Sequence, residues 1–490
     1  MPHIRTLGGL VERLSTSGLL VTARPQAEDP SASPVEGITC DSREVRPGWV
    51  FVAIRGHATD GHAFIPDALE RGAVAVVVEE PVAAEVPVFE VESSRSGLAR
   101  LAAAFYGDPS LDLTTCGVTG TNGKTTTAWL LSQALTAAGH RCGYMGTIGY
   151  GLPGKLEETA HTTPDAVRVQ RALGHMRQAD CDGVAMEVSS HALDQRRAEA
   201  VDFDAAVFTN LTRDHLNYHG SFEAYFDAKA LLFEGLRPEA LAVINMDDPA
   251  GTAMADRATG RTLSYGTTGT EDVSFTVRSD LGHGIRMRLD GHDATFRLSG
   301  SFNAYNLAAA YAAMEAYGVA ARERLDALAE ARPAPGRFEI IDIGRERSVV
   351  IDFAHTPDAL RNVLSAARGI VPAGANLWCV FGCGGDRDTG KRPLMGGIAE
   401  ELADRVIVTS DNPRTEDPEA IQADIRSGVS HPERMHWIVD RRQAVHRAVE
   451  TAGLGDVIVL AGKGPEPYQI IGTEKRPYLD EAVVREAAGV

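Results

Sequence analysis

The segment Gly117-Val-Thr-Gly-Thr-Asn-Gly-Lys-Thr-Thr126 holds residue types suited to gripping phosphate. Glycines let backbone N–H groups approach phosphate oxygens, a lysine reaches the outer phosphates, and a threonine hydroxyl can ligate Mg²⁺. The residues in question are Gly120, Thr121, Asn122, Gly123, Lys124, Thr125 and Thr126. The common phosphate-loop pattern has a glycine five positions before Gly123, where this chain has Val118. The loop is therefore a variant, and the pattern alone does not fix a reaction. A Gly-rich turn without a ligand is the alternative, opposed by the β-rich run before the loop and the helical pattern after it.

Further groups follow. In Ala185-Met-Glu-Val-Ser-Ser-His191, Glu187 can hold a divalent cation against phosphates, or can equally belong to a helix cap. Asp214, His215 and His219 fall within six positions, which suggests metal or phosphate work, although His219 alone reads better as a structural hydrogen-bonder. Lys229, on an apolar helical pattern, reads from spacing as a surface lysine with a snorkelling stem. Nearer the C-terminus stand Asp352-Phe-Ala-His-Thr-Pro357, Gly382-Cys-Gly-Gly-Asp-Arg-Asp388, Ser410-Asp-Asn-Pro-Arg-Thr-Glu-Asp-Pro418 and Gly462-Lys-Gly-Pro-Glu466. Arg387 and Arg414 can grip a small carboxylate, while Asp411 and Glu466 can accept from an ammonium group, a combination suited to an amino acid. Any one of these loops alone is as readily a plain turn, since Asp-Asn-Pro initiates turns.

Elements must bring these groups together. Apolar runs at 113–118, 183–188, 205–209 and 241–245 alternate with helical patterns and predict a largely parallel sheet. A loop-rich stretch precedes them at Gly107-Asp-Pro-Ser110, and a second break falls at Arg332-Pro-Ala-Pro-Gly336. Beyond it, runs at 348–353, 377–381, 405–409 and 456–460 each lead into one of the charged loops. Open parallel sheets bind ligands beyond the carboxyl ends of their strands, so four such loops on one edge make a site. The first hundred residues read as a surface loop over 23–36 and a short α/β section with strands near 49–54 and 73–79. The length of 490 residues agrees with roughly three domains. The expected fold class is α/β with three domains: a small N-terminal one over 1–107, a central P-loop-type parallel-sheet domain over 108–335, and a Rossmann-like C-terminal one over 336–490.

Composition narrows the function. Apolar residues at 44% and charged residues at 23% describe an ordinary globular chain. Lys and Arg number 48 against 67 Asp and Glu, a net −19, which disfavours nucleic acid or an anionic membrane as partner. Anionic ligands must be met locally. The six cysteines are scattered without a CxxC pair, which fits a reducing compartment. Arg5, Glu12 and Arg13 interrupt the N-terminal leucines, leaving neither a signal-peptide core nor a membrane span, so a cytoplasmic location is expected.

Taken in order, Thr39-Cys-Asp-Ser-Arg43, Gly120-Thr-Asn-Gly-Lys-Thr-Thr126, Thr162-Thr-Pro164, Glu187-Val-Ser-Ser-His191, Gly300-Ser-Phe-Asn-Ala-Tyr-Asn306, Pro335-Gly-Arg-Phe-Glu339 and Asp411-Asn-Pro-Arg414 resemble the Mur ligases of peptidoglycan synthesis. The resemblance spans nearly the whole chain and is strongest to members that add diaminopimelate. It implies an ATP-dependent amide ligase, using an acyl phosphate to join diaminopimelate to the D-glutamate side chain of UDP-N-acetylmuramoyl-L-alanyl-D-glutamate, acting as a monomer in cell-wall precursor synthesis. By matching motif it implies that Cys40, Ser42, His57, Ala58 and Thr59 lie along the UDP group, and that Thr162, Thr163, Ser189, Gln195 and Arg197 hold the muramoyl dipeptide. ATP takes Gly120 to Thr126 with Asn303, Arg337 and Asp352. The lysine matching Lys229 is carbamylated in this family, a CO₂-derived carboxylate that joins Thr125, Glu187 and His215 around Mg²⁺, so that Lys124, Glu187, His215 and Lys229 form the catalytic set. Arg387, Asp411, Asn412, Pro413, Arg414, Gly462 and Glu466 match the diaminopimelate pocket. Arg414 favours diaminopimelate, whose distal carboxylate needs a fixed cation, over lysine, whose ammonium it repels.

Three residues depart from the family pattern. Pro465 replaces a histidine, Phe353 a tyrosine and Asn217 an aspartate, for which modest losses in rate or an altered pH profile are expected. Folylpolyglutamate synthetase, with similar ATP chemistry, does not account for Thr39 to Arg43 or for Asp411 to Arg414. A nucleotide-dependent binding switch finds no Asn-Lys-x-Asp motif, and a degenerate scaffold does not fit the presence of Lys124, Glu187, Lys229 and Arg337.

Overall fold

A computed structural model describes residues 4–24, 32–56, 59–152, 154–159, 161–280 and 284–490. The chain forms an α/β protein built on three main sheets and one small hairpin. The first sheet has five strands in the order Leu20–Arg24, Val88–Val91, Ala73–Val78, Trp49–Val52, Gly37–Thr39, parallel except for the first, which is an exposed edge. Its apolar runs serve two faces. Val50 and Val52 pack with Leu10 and Leu98 of the covering helices, whereas Phe51 between them packs with Ile65 and Ala68. That alternation is the period of an extended strand buried on both sides.

The second sheet has eleven strands. Thr114–Thr119 lies near its centre, between Gly183–Glu187 and Ala205–Phe208 and parallel to both. Leu241–Asn245, Arg261–Gly266 and Val273–Asp280 continue the parallel set on one side and Cys142–Gly146 on the other. Both edges then turn antiparallel, through Ile285–Leu289 and His292–Phe296 at one end and Gly149–Leu152 and Lys155–Glu157 at the other. The expected parallel sheet is thus the core of a larger mixed one. Its edge strands are short or alternate buried with exposed residues, as in Ile285–Leu289, and lack the apolar runs that mark the centre.

The third sheet runs Glu339–Asp342, Ser348–Asp352, Val457–Ala461, Leu377–Phe381, Arg405–Val408, His436–Trp437, antiparallel only at its first pair. The hairpin Tyr468–Ile471 with Glu474–Pro477 stands beside it. Strands Thr114–Thr119, Gly183–Glu187 and Ala205–Phe208 of the second sheet, and Ser348–Asp352, Leu377–Phe381, Arg405–Val408 and Val457–Ala461 of the third, all end in loops that meet at one cleft. Among the described residues no helix is long and apolar enough to cross a membrane.

Candidate active site

The cleft measures about 950 Å³ and draws its walls from both larger sheets. Its floor is the phosphate loop. Gly120 has φ +147°, and a Cβ there would lie 1.9 Å from Thr209 Oγ1, so only glycine lets the loop pass so close to the neighbouring strand end. The helix Lys124–Ala137 begins at Gly123 with no side-chain cap, leaving its first N–H groups free for an anion. Lys124 Nζ donates to the Gly120 and Thr121 carbonyls at 2.9 and 2.7 Å. Desolvation lowers its pKa against the opposing charges of Glu187 and Asp214.

Glu187 is fully buried at the end of its strand. Its Oε1 accepts from Tyr144 OH at 2.6 Å and from Thr147 N at 2.8 Å, and its Oε2 from Thr125 Oγ1 at 2.8 Å and Thr147 Oγ1 at 3.3 Å. A Cβ on Gly146 would lie 2.1 Å from Oε1, so this approach also depends on glycine. Tyr144 and Thr147 carry no motif. They reach Glu187 because Cys142–Gly146 pairs with Gly183–Glu187, a register invisible in the sequence.

Lys229 corrects the reading from spacing. It is 1% exposed, its Nζ donates to Gly120 O at 2.7 Å, and it lines the cleft. Burial, then the neighbouring charge of Lys124, holds its amine well below the usual lysine range. His215, in left-handed backbone at φ +54°, lies 3.3 Å from Asp214 Oδ2, and burial pushes its imidazole down to about 3. Asp214, itself buried, also faces His355 at 3.9 Å. His219 bonds to Ser190 Oγ at 3.0 Å, the structural role its spacing suggests.

Of the three further residues expected to meet the nucleotide, Arg337 and Asp352 line the cleft and Asn303 does not. Arg337 Nη2 donates to Thr125 Oγ1 at 2.9 Å and its guanidinium stacks 4.4 Å over Phe353, so the ring persists where the hydroxyl of a tyrosine is lost. Asp352 accepts from Phe338 N at 2.7 Å, and burial raises its pKa. Asn303 is turned away from the cleft, bonding to Ser299 O and accepting from Asn306 at 2.8 Å. Asn306 lines the wall in its place.

On the other flank, Thr162 and Ser189 line the cleft while Thr163, Gln195 and Arg197 stand behind them as one network. Thr163 Oγ1 donates to Glu187 O at 2.9 Å, and Arg197 donates to Thr163 O at 2.8 Å and Gln195 Oε1 at 2.7 Å. Cys40, Ser42 and Thr59 belong to the first sheet's section, outside the cleft wall, while His57 and Ala58 lie outside the described residues. Burial, then Asp165 and Asp41, pushes the Cys40 thiol up to about 12.

Arg387, Asp411, Asn412, Arg414, Gly462 and Glu466 line the same cleft, with Pro413 in the turn between Asn412 and Arg414. Arg414 has φ +53° and its Nη1 donates to Gly385 O at 2.8 Å. Burial, then the charge of Arg414, lowers the pKa of Arg387. Pro465 packs over the break between the second and third sheets, its N 2.3 Å from where a Gly336 Cβ would be. Loops carrying charges of both signs, on separate strands, converge in this part of the cleft wall.

One cleft lined by a glycine-rich loop that opens a helix and by clustered Arg, Asp and Glu side chains has the character of a nucleotide-using enzyme. The chain matches the Mur ligase middle domain over 118–314, the Mur ligase glutamate ligase domain over 336–464, and the Mur ligase family catalytic domain over 34–106. It is 45% identical over 469 residues, 93% of this chain and 94% of the relative, to the UDP-N-acetylmuramoyl-L-alanyl-D-glutamate--2,6-diaminopimelate ligase of Chromobacterium violaceum. It is 46% identical over 476 residues, 94% and 96% of the two chains, to the protein of that name from Ectopseudomonas mendocina. A solved structure of a ligase so named superposes with a TM-score of 0.67 at 37% identity, covering 95% of this chain and 97% of that one. The chain belongs to the Mur ligase family.

Proposed function

We propose that this chain is an ATP-dependent amide ligase that adds diaminopimelate to the D-glutamate side-chain carboxylate of UDP-N-acetylmuramoyl-L-alanyl-D-glutamate, in cytoplasmic synthesis of peptidoglycan precursors. The relatives' names supply the substrates. The observation that carries the reading is that the loop from Thr121 to Thr126 and Arg387, Arg414, Asp411 and Glu466 line one cleft. Sections 1–107, 108–335 and 336–490 then carry the UDP-linked substrate, ATP and the amino acid respectively.

The chemistry follows from a poor leaving group. An amine cannot displace oxide from a carboxylate, so the glutamate side chain first attacks the γ-phosphorus of ATP, forming an acyl phosphate and releasing ADP. The amine of the amino acid then attacks the acyl phosphate carbonyl, and phosphate leaves as the amide forms. Lys124 and the free N–H groups of its helix stabilise charge on the transferred phosphoryl group. Arg197, through Gln195 and Thr163, orders the strand end that presents the dipeptide. Arg387 and Arg414 hold the distal carboxylate of diaminopimelate. The reaction requires no enzyme nucleophile, so catalysis is positioning and electrostatics.

Glu187 supports Mg²⁺ binding: it is a buried carboxylate with no cation in ion-pair contact among the described residues, beside the Thr125 hydroxyl, and these oxygen donors suit Mg²⁺. Thr125, Glu187, His215 and carbamylated Lys229 would hold the ion. When bound it supplies charge neutralisation across the reacting phosphates. Lys229 supports carbamylation: it is buried beside the phosphate loop with its Nζ on Gly120 O, and burial favours the uncharged amine, the form that adds CO₂.

ADP release measured with the UDP-linked dipeptide, comparing diaminopimelate with lysine, tests the reading. Release that requires both dipeptide and diaminopimelate is expected; release without the dipeptide overturns it. Arg414→Ala should raise KM for diaminopimelate by about tenfold or more, and KM for ATP by less than about twofold.

A further inference from the structure

Lys463 has no place in the chemistry above, yet it is 0% exposed and stands behind Asp411, Asn412 and Glu466, which line the cleft. Its Nζ donates to Glu466 Oε2 at 2.9 Å and to Asn412 Oδ1 at 3.1 Å, and lies 3.9 Å from Asp411 Oδ1. Asn412 closes the triangle by donating its Nδ2 to the same Glu466 oxygen at 2.9 Å. The small hairpin locks it from outside, through Ile470 N to Asn412 Oδ1 at 2.9 Å and Gln469 Nε2 to Asp411 O at 2.6 Å. Rings of Tyr468 and Tyr478 flank the ammonium, each 6.0 Å away. One buried cation thus organises three groups that line the cleft, without lining it itself.

We infer that Lys463 is a positioning residue that sets the choice of amino acid, by cancelling one of the two carboxylates that face the substrate's distal ammonium. This rests on the diaminopimelate reading of the pocket. Asp411 and Glu466 together would attract any ammonium, including that of a diamine with a single carboxylate. With Lys463 against them, the pair holds an ammonium well only when a carboxylate beside it also engages Arg387 and Arg414. Taking away Lys463 removes the close cation of Glu466 and one of the cations near Asp411, and frees Glu466 and Asn412 to move, so the pocket should become looser toward diaminopimelate and more tolerant of lysine.

Lys463→Met keeps the length of the side chain and removes its charge. The expected result is a rise of about tenfold or more in KM for diaminopimelate with little change in KM for ATP, and a ratio of kcat/KM for diaminopimelate over lysine that falls by at least about tenfold. Lys463→Arg should recover part of that ratio. Glu466→Gln, at the partly exposed rim, unbalances the same group in the opposite sense and should make lysine a still poorer substrate relative to diaminopimelate. That variant keeps the idea testable if Lys463→Met does not fold. An unchanged ratio in the Met variant, an equal loss for both amino acids, or a Gln variant that shifts the ratio toward lysine overturns the inference. Wild-type enzyme that ignores diaminopimelate overturns instead the reading beneath it.

Discussion

Lys229 shows how much a residue's role depends on what its helix packs against. Its helix, Phe222–Glu234, is apolar on several faces, and spacing alone cannot say which of them meets solvent. The answer lies in Gly120: the loop carbonyl comes within 2.7 Å of Nζ, and Tyr225 lies 4.4 Å beneath it. A buried amine held below its normal pKa is a stability burden, one that the proposed role at the reacting centre would explain. Lys229→Met should therefore raise the melting temperature by about 2–4 °C while lowering ligase activity by about 100-fold or more. Thermal melts and the ADP-release assay check both halves; near-normal activity would remove Lys229 from the reacting centre. The phosphate loop was legible because its chemistry is local. Tyr144, Thr147 and Asn306 were not, because each reaches the site only through pairing or packing with distant chain.

At the scale of elements, the central strands of the two larger sheets could be read from apolar runs, since a strand buried on both faces has no polar alternation to confuse it. The antiparallel edges, half exposed, gave no such signal. What fastens the third sheet is equally silent in sequence: Asp456, before the strand Val457–Ala461, accepts from Asn376 N and Trp378 Nε1 at 2.7 Å each and from Gly453 N at 2.9 Å. Burial alone would raise its pKa, but these donors outweigh it and hold the carboxyl below its ordinary 3.8. A carboxylate with a lowered folded pKa adds stability above the unfolded value and loses it as pH falls through the folded one. Asp456→Ala should cost about 2–3 kcal/mol at pH 7. Denaturant titrations should show this gap to wild type closing as pH drops below 3.8; a gap independent of pH would assign the loss to packing instead.

For the whole molecule, the −19 charge and the anionic substrates are reconciled by where a few cations stand: Lys124, Arg337, Arg387 and Arg414 all line one cleft. The same cleft is a seam between the second and third sheets, crossed by Arg337 to Thr125, by Asn122 Nδ2 to Asp358 Oδ2 at 2.9 Å, and by Arg213 to Asp388 at 3.8 Å. Asp358 is a carboxylate beside the phosphate loop, where like charge opposes phosphate. Asp358→Asn keeps the hydrogen bond to Asn122 and should lower KM for ATP by about two- to fivefold. Steady-state kinetics at saturating amounts of the other substrates would show it; a higher KM would mean that the carboxylate works with the nucleotide.

The strand order of the third sheet also bears on how the protein is born. Val457–Ala461 sits between Ser348–Asp352 and Leu377–Phe381, although it follows both by a long stretch of chain. During synthesis the sheet must wait with its middle unfilled until this late strand leaves the ribosome, and such distant pairings form slowly. The second sheet needs nothing from that part of the chain and can fold earlier. The cleft wall at Gly462 to Glu466, which follows directly on the late strand, then takes shape only with the C-terminal hairpin and helix that come after it, and nascent chains stalled before residue 457 would expose the raw inner edges of two strands to chaperones or to one another.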